Sequence, residues 1–168
     1  MTISMYAASV PAFRRYMTAL SQVLDKGAAY AEARKIDPSV LLQSRLAPDM
    51  LPLVSQVRLV SDQVGRGTAR LAGADLPKFV DDETTFAQLR DRIARTLDFI
   101  GGFSPTQIDG SEARDIVMAM RSGEVRFTGQ DYLLGFVIPN VLFHCTAAYL
   151  ILRHNGVELG KRDFLGAS

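Results

Sequence analysis

Tyr132-Leu133-Leu134-Gly135-Phe136-Val137-Ile138-Pro139-Asn140-Val141-Leu142-Phe143-His144-Cys145-Thr146-Ala147-Ala148-Tyr149-Leu150-Ile151-Leu152 is a run of twenty-one residues without Lys, Arg, Asp or Glu. Its length suffices to cross a bilayer, for which about 20 apolar residues are enough. Gly135, Pro139, Asn140, His144 and Thr146 interrupt it, and no second segment could span beside it. Ionisable groups in lipid are costly, so the run reads as the central helix of a soluble bundle and not as a membrane span. A helix apolar nearly all round must be covered on more than one side. That predicts burial within its own bundle and against a second copy, a homodimer formed through this last helix.

Leu133, Val137, Asn140, His144, Ala147, Ala148 and Ile151 share one stripe of this helix at steps of three and four. Asn140 and His144, one turn apart, are therefore expected to project inward between small residues. Such a polar pair reads in two ways. It is either a hydrogen-bonded core element, with a neutral imidazole satisfied by Asn140 or a backbone carbonyl, or the floor of a pocket.

Working outward, Tyr6, Val10, Phe13, Met17, Leu20, Leu24 and Ala31 mark a first helix, which should begin near Ser4 to Ser9 so that Pro11 lies in its first turn. Ile36-Asp37-Pro38-Ser39 breaks the chain, and Val40 to Leu46 reads as a short helical segment. A second long helix is predicted from Pro48 to Leu71 on the stripe Met50, Leu53, Val54, Val57 and Val64. Thr85 with Gln88 has the spacing of a capping box. It opens a third helix with Phe86, Leu89, Ile93, Leu97 and Ile100 buried, and Gly101-Gly102 ends it. Asp81-Asp82-Glu83 suits the positive end of that helix. Ile116 to Phe127 then alternates around Ser122-Gly123, a hairpin signal that must pack on the bundle. The last helix is predicted from about Gln130 to Arg153, stopped by Asn155-Gly156. The expected fold is all-α: a four-helix bundle with a small β-hairpin inserted before the last helix.

With 168 residues, 48% hydrophobic and 22% charged, the chain is sized for a single domain over residues 1–168, burying roughly 70% of its unfolded surface. Nineteen basic against eighteen acidic residues leave a net charge of +1. The basic residues are scattered, which argues against a nucleic-acid partner. Cys145 is the only cysteine, and Met1 to Tyr6 shows neither a basic leader nor a long apolar run, so a reducing cytoplasm is the expected compartment.

Two segments stand out together: Arg45-Leu46-Ala47-Pro48-Asp49-Met50-Leu51-Pro52-Leu53, and Leu152-Arg153-His154-Asn155-Gly156-Val157-Glu158-Leu159-Gly160-Lys161-Arg162-Asp163-Phe164. With Met5-Tyr6-Ala7-Ala8-Ser9-Val10-Pro11, they closely resemble a bacterial family catalogued only as a domain of unknown function (number 1993), over essentially the whole chain. That family resembles a branch of the DinB/YfiT-like four-helix superfamily, whose members are commonly homodimers. The resemblance implies a metal site of three histidines, one on the second helix and two four residues apart on the fourth. Residues four apart stack on one helix face, so both imidazoles reach one divalent ion. Members with the site resemble metal-dependent enzymes that activate a low-molecular-weight thiol, or hydrolases. This sequence departs from that pattern: Pro48 to Leu71 holds no histidine, and His144 has Ala148 four residues after it and Asn140 four before. With two histidines in the chain, one subunit cannot build the three-histidine site.

Asp49 and Gln56, seven residues apart, are expected on one face of the second helix. Gln56 takes the position where a ligand would otherwise stand. Asp49 is either a carboxylate facing His144 or a cap favoured by the helix dipole and paired with Arg45. His154 and Arg153 fall in the last turn of the fourth helix, where cations offset its negative end. Cys145 points about 100° from His144 and reads as a buried, inert thiol, and Lys161-Arg162-Asp163 reads as a solvated loop with one internal salt bridge. The leading expectation is a small-molecule-binding or interaction module without a cofactor, its pocket between the second and fourth helices lined by Asp49, Gln56, Asn140 and His144. The alternative is a thiol-dependent type of metal-dependent transferase or hydrolase, holding zinc or nickel with His144, Asp49 and His154.

Overall fold

The computed structural model describes residues 3–120 and 123–166. The protein is mostly helical, at 66%, with a two-stranded antiparallel hairpin ahead of the last helices. Ser4 caps α1 (Met5–Arg34) by accepting the Ala7 N–H at 3.2 Å. Pro11 lies in the second turn of α1 and not the first, and the helix continues through it. Asp37 caps the short α2 (Pro38–Gln43), its carboxylate accepting the Ser39 N–H at 2.8 Å.

The second long helix, α3 (Leu53–Ala72), starts five residues later than Pro48. Pro52 is the cause. Proline disfavours the helical region for the residue before it, so Leu51 stays outside the helix and residues 45–52 form a turn. Pro52 itself, at φ −70° and ψ 165°, serves as the N-cap. Α4 (Phe86–Gly101) opens with the expected capping box: Gln88 N–H donates to Thr85 Oγ1 at 3.2 Å, and Thr85 N–H donates to Gln88 Oε1 at 3.0 Å.

The segment between α3 and α4 is tied down by Arg92, which is fully buried on α4. Its Nη1 donates to Glu83 Oε1 at 3.0 Å and Asp81 Oδ1 at 2.9 Å, and its Nη2 to Asp62 Oδ1 at 2.8 Å. Arg58 closes the network on Glu83 Oε2 at 2.8 Å. Asp81 and Glu83 therefore serve an ion network as well as flanking the start of α4.

After α5 (Pro105–Ile108), strands β1 (Asp115–Met120) and β2 (Gly123–Thr128) pair with Ile116 opposite Phe127 and Met118 opposite Val125. Arg121 and Ser122 of the expected turn lie outside the described residues. Gly123 has φ +119° and opens β2. Ile116 is buried, and Phe127 packs on Tyr132 and Phe136 with ring centroids 5.8 and 5.6 Å away.

The last long helix runs continuously over Gly129–His154. It comprises α6 (Gly129–Asp131), a π turn (Tyr132–Val137) and α7 (Ile138–His154). The π turn lies just ahead of Pro139, which has no N–H to continue an ordinary i→i−4 ladder. By length and composition this helix could cross a membrane, with a mean hydropathy of 1.7 in its most apolar window and 33% of that window buried. It packs along α3. Gln56 meets His144 while Gly67 meets Val137, so the two helices run antiparallel. Lys161-Arg162-Asp163 is not a loop with an internal salt bridge but part of α8 (Lys161–Leu165). Asp163 bonds to Lys26 of α1 at 2.6 Å, and Arg15 of α1 holds the Leu165 carbonyl at 2.8 Å.

Candidate functional site

The core face of the last helix is Leu133, Val137, Val141, Cys145, Ala148 and Leu152, all buried. Asn140 and His144 are half-buried at the edge of that face and not at its centre. A π turn carries more than 3.6 residues per turn, so a stripe counted through Tyr132–Val137 at the α period loses its phase beyond Pro139. Asn140 donates to the Phe136 carbonyl at 2.7 Å, a bond within its own helix, and not to His144.

His144 instead meets Gln56, which is fully buried on α3, through an Nδ1···Oε1 contact of 2.7 Å. The amide of Gln56 is held from its other side, Nε2 donating to the Leu51 carbonyl at 3.0 Å. A carbonyl can only accept, so Nε2 faces Leu51 and Oε1 faces the ring. Nδ1 of His144 must therefore carry the proton, and Nε2 is left with its lone pair. Burial holds the imidazole below its usual pKa, which keeps the ring neutral near pH 7. Nε2 has no hydrogen-bond partner among the described residues and is not enclosed. The ring stands edge-on to Phe143, with centroids 5.2 Å apart.

Phe143 belongs to a groove of about 370 Å³ along the last helix, whose walls include Met50, Pro139, Leu142, Thr146 and Leu150 and no charged residue. The Met50 side of the groove is the turn ahead of α3, the turn that supplies the Leu51 carbonyl. The turn thus contributes Met50 to the groove and the Leu51 carbonyl to the Gln56–His144 pair.

Asp49 does not share a helix face with Gln56. It is exposed in the turn before α3, and Arg45 bonds to the Met50 carbonyl instead of pairing with it. His154 is exposed ten residues beyond His144, about 15 Å further along the helix axis. The set His144, Asp49 and His154 therefore cannot converge on one ion. No group of three or more His, Cys, Asp or Glu among the described residues is placed to hold a metal. The position facing His144 is filled by Gln56, whose oxygen is already engaged, and Ala148 offers no donor atom. The residues present do not fit the three-histidine centre. Cys145 is buried, and burial pushes its thiol up to about 12. It is not a nucleophile near neutral pH.

A family model described as a domain of unknown function (DUF1993) matches residues 5–165. The chain belongs to the DUF1993 family. It is also similar to the crystal structure of a DinB family member from Shewanella denitrificans, at 42% sequence identity and a TM-score of 0.89. That match covers 97% of this DUF1993 chain and 92% of the other. None of the curated proteins is significantly similar to it.

Proposed function

We propose that this DUF1993 protein is a single-domain, four-helix binding module of the cytoplasm that works without a metal centre. The observation that carries the reading is the polar pair Gln56–His144 near an uncharged groove: a neutral imidazole clamped through one nitrogen, with the other unpaired among the described residues. Metal-ligating histidines also donate their second nitrogen to a partner, but here the companions a metal needs are replaced by Gln56, Asn140 and Ala148. The ligand is a small molecule seated along Phe143 and Leu142, with Gln56 and His144 as the polar contact. Asn140 supports the helix there, and Asp49 has no part in the pocket.

A second copy of the chain belongs to the same reading. Leu134, Phe143 and Leu150 are 52%, 57% and 38% exposed on the last helix, and a helix face without charge meets its own copy with no like-charge penalty. Such a homodimer roofs the groove. Neither nucleic acid nor a membrane enters the proposal.

Elemental analysis of protein purified without an affinity tag tests the metal-free claim. The expected result is no stoichiometric transition metal. One equivalent of zinc, nickel or iron per chain, lost in His144→Ala, would overturn the reading in favour of a metal-dependent enzyme.

A further inference from the structure

Residues 73–85 join α3 to α4, and the two helices fix both ends of this connection. At one end Gly73, at φ +67°, caps α3, and its N–H and that of Ala74 bond back to the helix. At the other end the Thr84 and Thr85 N–H groups donate to Gln88 Oε1 at 2.7 and 3.0 Å. Between these caps, residues 75–83 make no backbone–backbone hydrogen bond among the described residues. Leu76 and Val80 are 41% and 70% exposed, and Pro77 and Phe79 are half-buried. The one buried side chain of the stretch is a charge, Glu83.

Polar contact with two arginines therefore seats the stretch. Arg58 of α3 donates to the Glu83 carboxylate at 2.8 Å and to its carbonyl at 2.7 Å. Arg92 of α4 holds the other Glu83 oxygen, Asp81 and the Val80 carbonyl. The Arg92 guanidinium also lies over the Phe79 ring, 5.0 Å from its centroid. Pro77 and Phe79 rest on Gly65, where a Cβ would come within 3.1 Å of both rings. Buried ion pairs hold weakly against such a release, because desolvation of the charges offsets much of their attraction. When the stretch lifts, Glu83, Arg58 and Arg92 all regain water, and none is left buried alone. Poorly buried segments of this kind open at the low end of a protein's range of local stabilities.

We propose that residues 75–83 form a latch on the α3–α4 seam, pinned by Glu83, that opens as a unit while the helices stay packed. Closed, it covers Gly65 and Arg92. Open, it presents the Arg58 and Arg92 guanidiniums to solvent, and both helix caps persist.

Two readouts on the whole protein test the latch. Trypsin cleavage at the Lys78–Phe79 bond, followed by mass spectrometry, reports the open fraction, since cleavage of a transiently opened segment tracks its population. NMR of the Phe79 ring and the Gly65 Hα protons reports closure, and the methyls of Leu133, Val141 and Ile151 report the core. Glu83→Gln is expected to speed cleavage at that bond about tenfold or more and to move the Phe79 and Gly65 signals, with the core methyls unmoved. Asp82→Asn is the control: Asp82 is exposed and makes no ion pair among the described residues, so its loss should leave the latch closed. In wild type, rising urea should move the Phe79 and Gly65 signals before the core methyls.

A Glu83→Gln protein cut at the wild-type rate would overturn the pin, as would an Asp82→Asn protein cut equally fast. A single urea transition shared by Phe79, Gly65 and the core methyls would overturn the latch itself and make the stretch part of the core. That urea series needs no variant, so it decides the matter even where Glu83→Gln fails to fold.

Discussion

At the scale of single residues, the decisive contact is between two side chains eighty-eight positions apart, Gln56 and His144. Both were legible in the sequence as polar residues on apolar helices, but their partnership was not. Asn140, one turn from His144, was the nearer partner on a straight helical stripe. The π turn at Tyr132–Val137 moves both residues to the edge of the core face and leaves Asn140 bonded to Phe136. Asp49 was misplaced for a different reason: Pro52 bars Leu51 from the helix, so the seven-residue spacing to Gln56 has no helical meaning. Gln56 is fully buried, so removing its partner leaves an unpaired amide oxygen. His144→Leu is expected to lower stability by about 1–3 kcal/mol. The Gln56→Leu/His144→Leu double variant should recover most of that loss, since replacing both partners by apolar groups is close to neutral. Denaturant melts of the two single variants and the double variant measure the coupling. Additive losses would show that the pair contributes nothing jointly.

At the scale of elements, the parts written in local chemistry were readable. The capping box of Thr85 and Gln88 starts α4 where its spacing placed it, and Asn155-Gly156 ends α7, with Gly156 at φ +95°. What needed the third dimension was the contact between helices. Arg92 sits three residues after Leu89 and four before Thr96, on the buried face of α4, a position that a stripe of apolar residues alone passes over. Its charge is tolerated there because Asp62, Asp81 and Glu83 surround it. Gly67 of α3 faces Val137 of the last helix. A Cβ built there would lie 2.8 Å from Val137 Cγ1, so the last helix approaches α3 closely at this point. Valine is stiff at χ1 and cannot swing clear. Gly67→Ala is therefore expected to destabilise the protein by about 1–3 kcal/mol, despite alanine's better helix propensity. Val137→Ala in the same chain should restore part of the loss. Thermal melts decide it, and a Gly67→Ala protein more stable than wild type would show that the close approach is slack.

At the scale of the whole molecule, the charge-free run gave the helical architecture its centre, yet its outward side is not closed by the rest of the chain. Phe143 and Leu150 in the groove wall, and Leu134 nearer the start of the same helix, remain exposed. Light scattering at micromolar concentration is expected to give twice the chain mass, falling to the chain mass in Phe143→Glu with helicity unchanged. A wild-type monomer under those conditions would remove the second copy from the account. The hairpin, by contrast, was legible from alternation alone, because Ile116, Met118, Val125 and Phe127 fall on one face whatever the bundle does.

The chemistry of the site depends most on which nitrogen of His144 carries the proton. Long-range proton–nitrogen correlation NMR on the whole protein near pH 7 reads this directly. A neutral ring protonated at Nδ1, with Nε2 carrying a free lone pair and no change on adding a chelator, is the predicted result. A ring protonated at Nε2, or an Nε2 signal that moves when a bound metal is stripped, would contradict it.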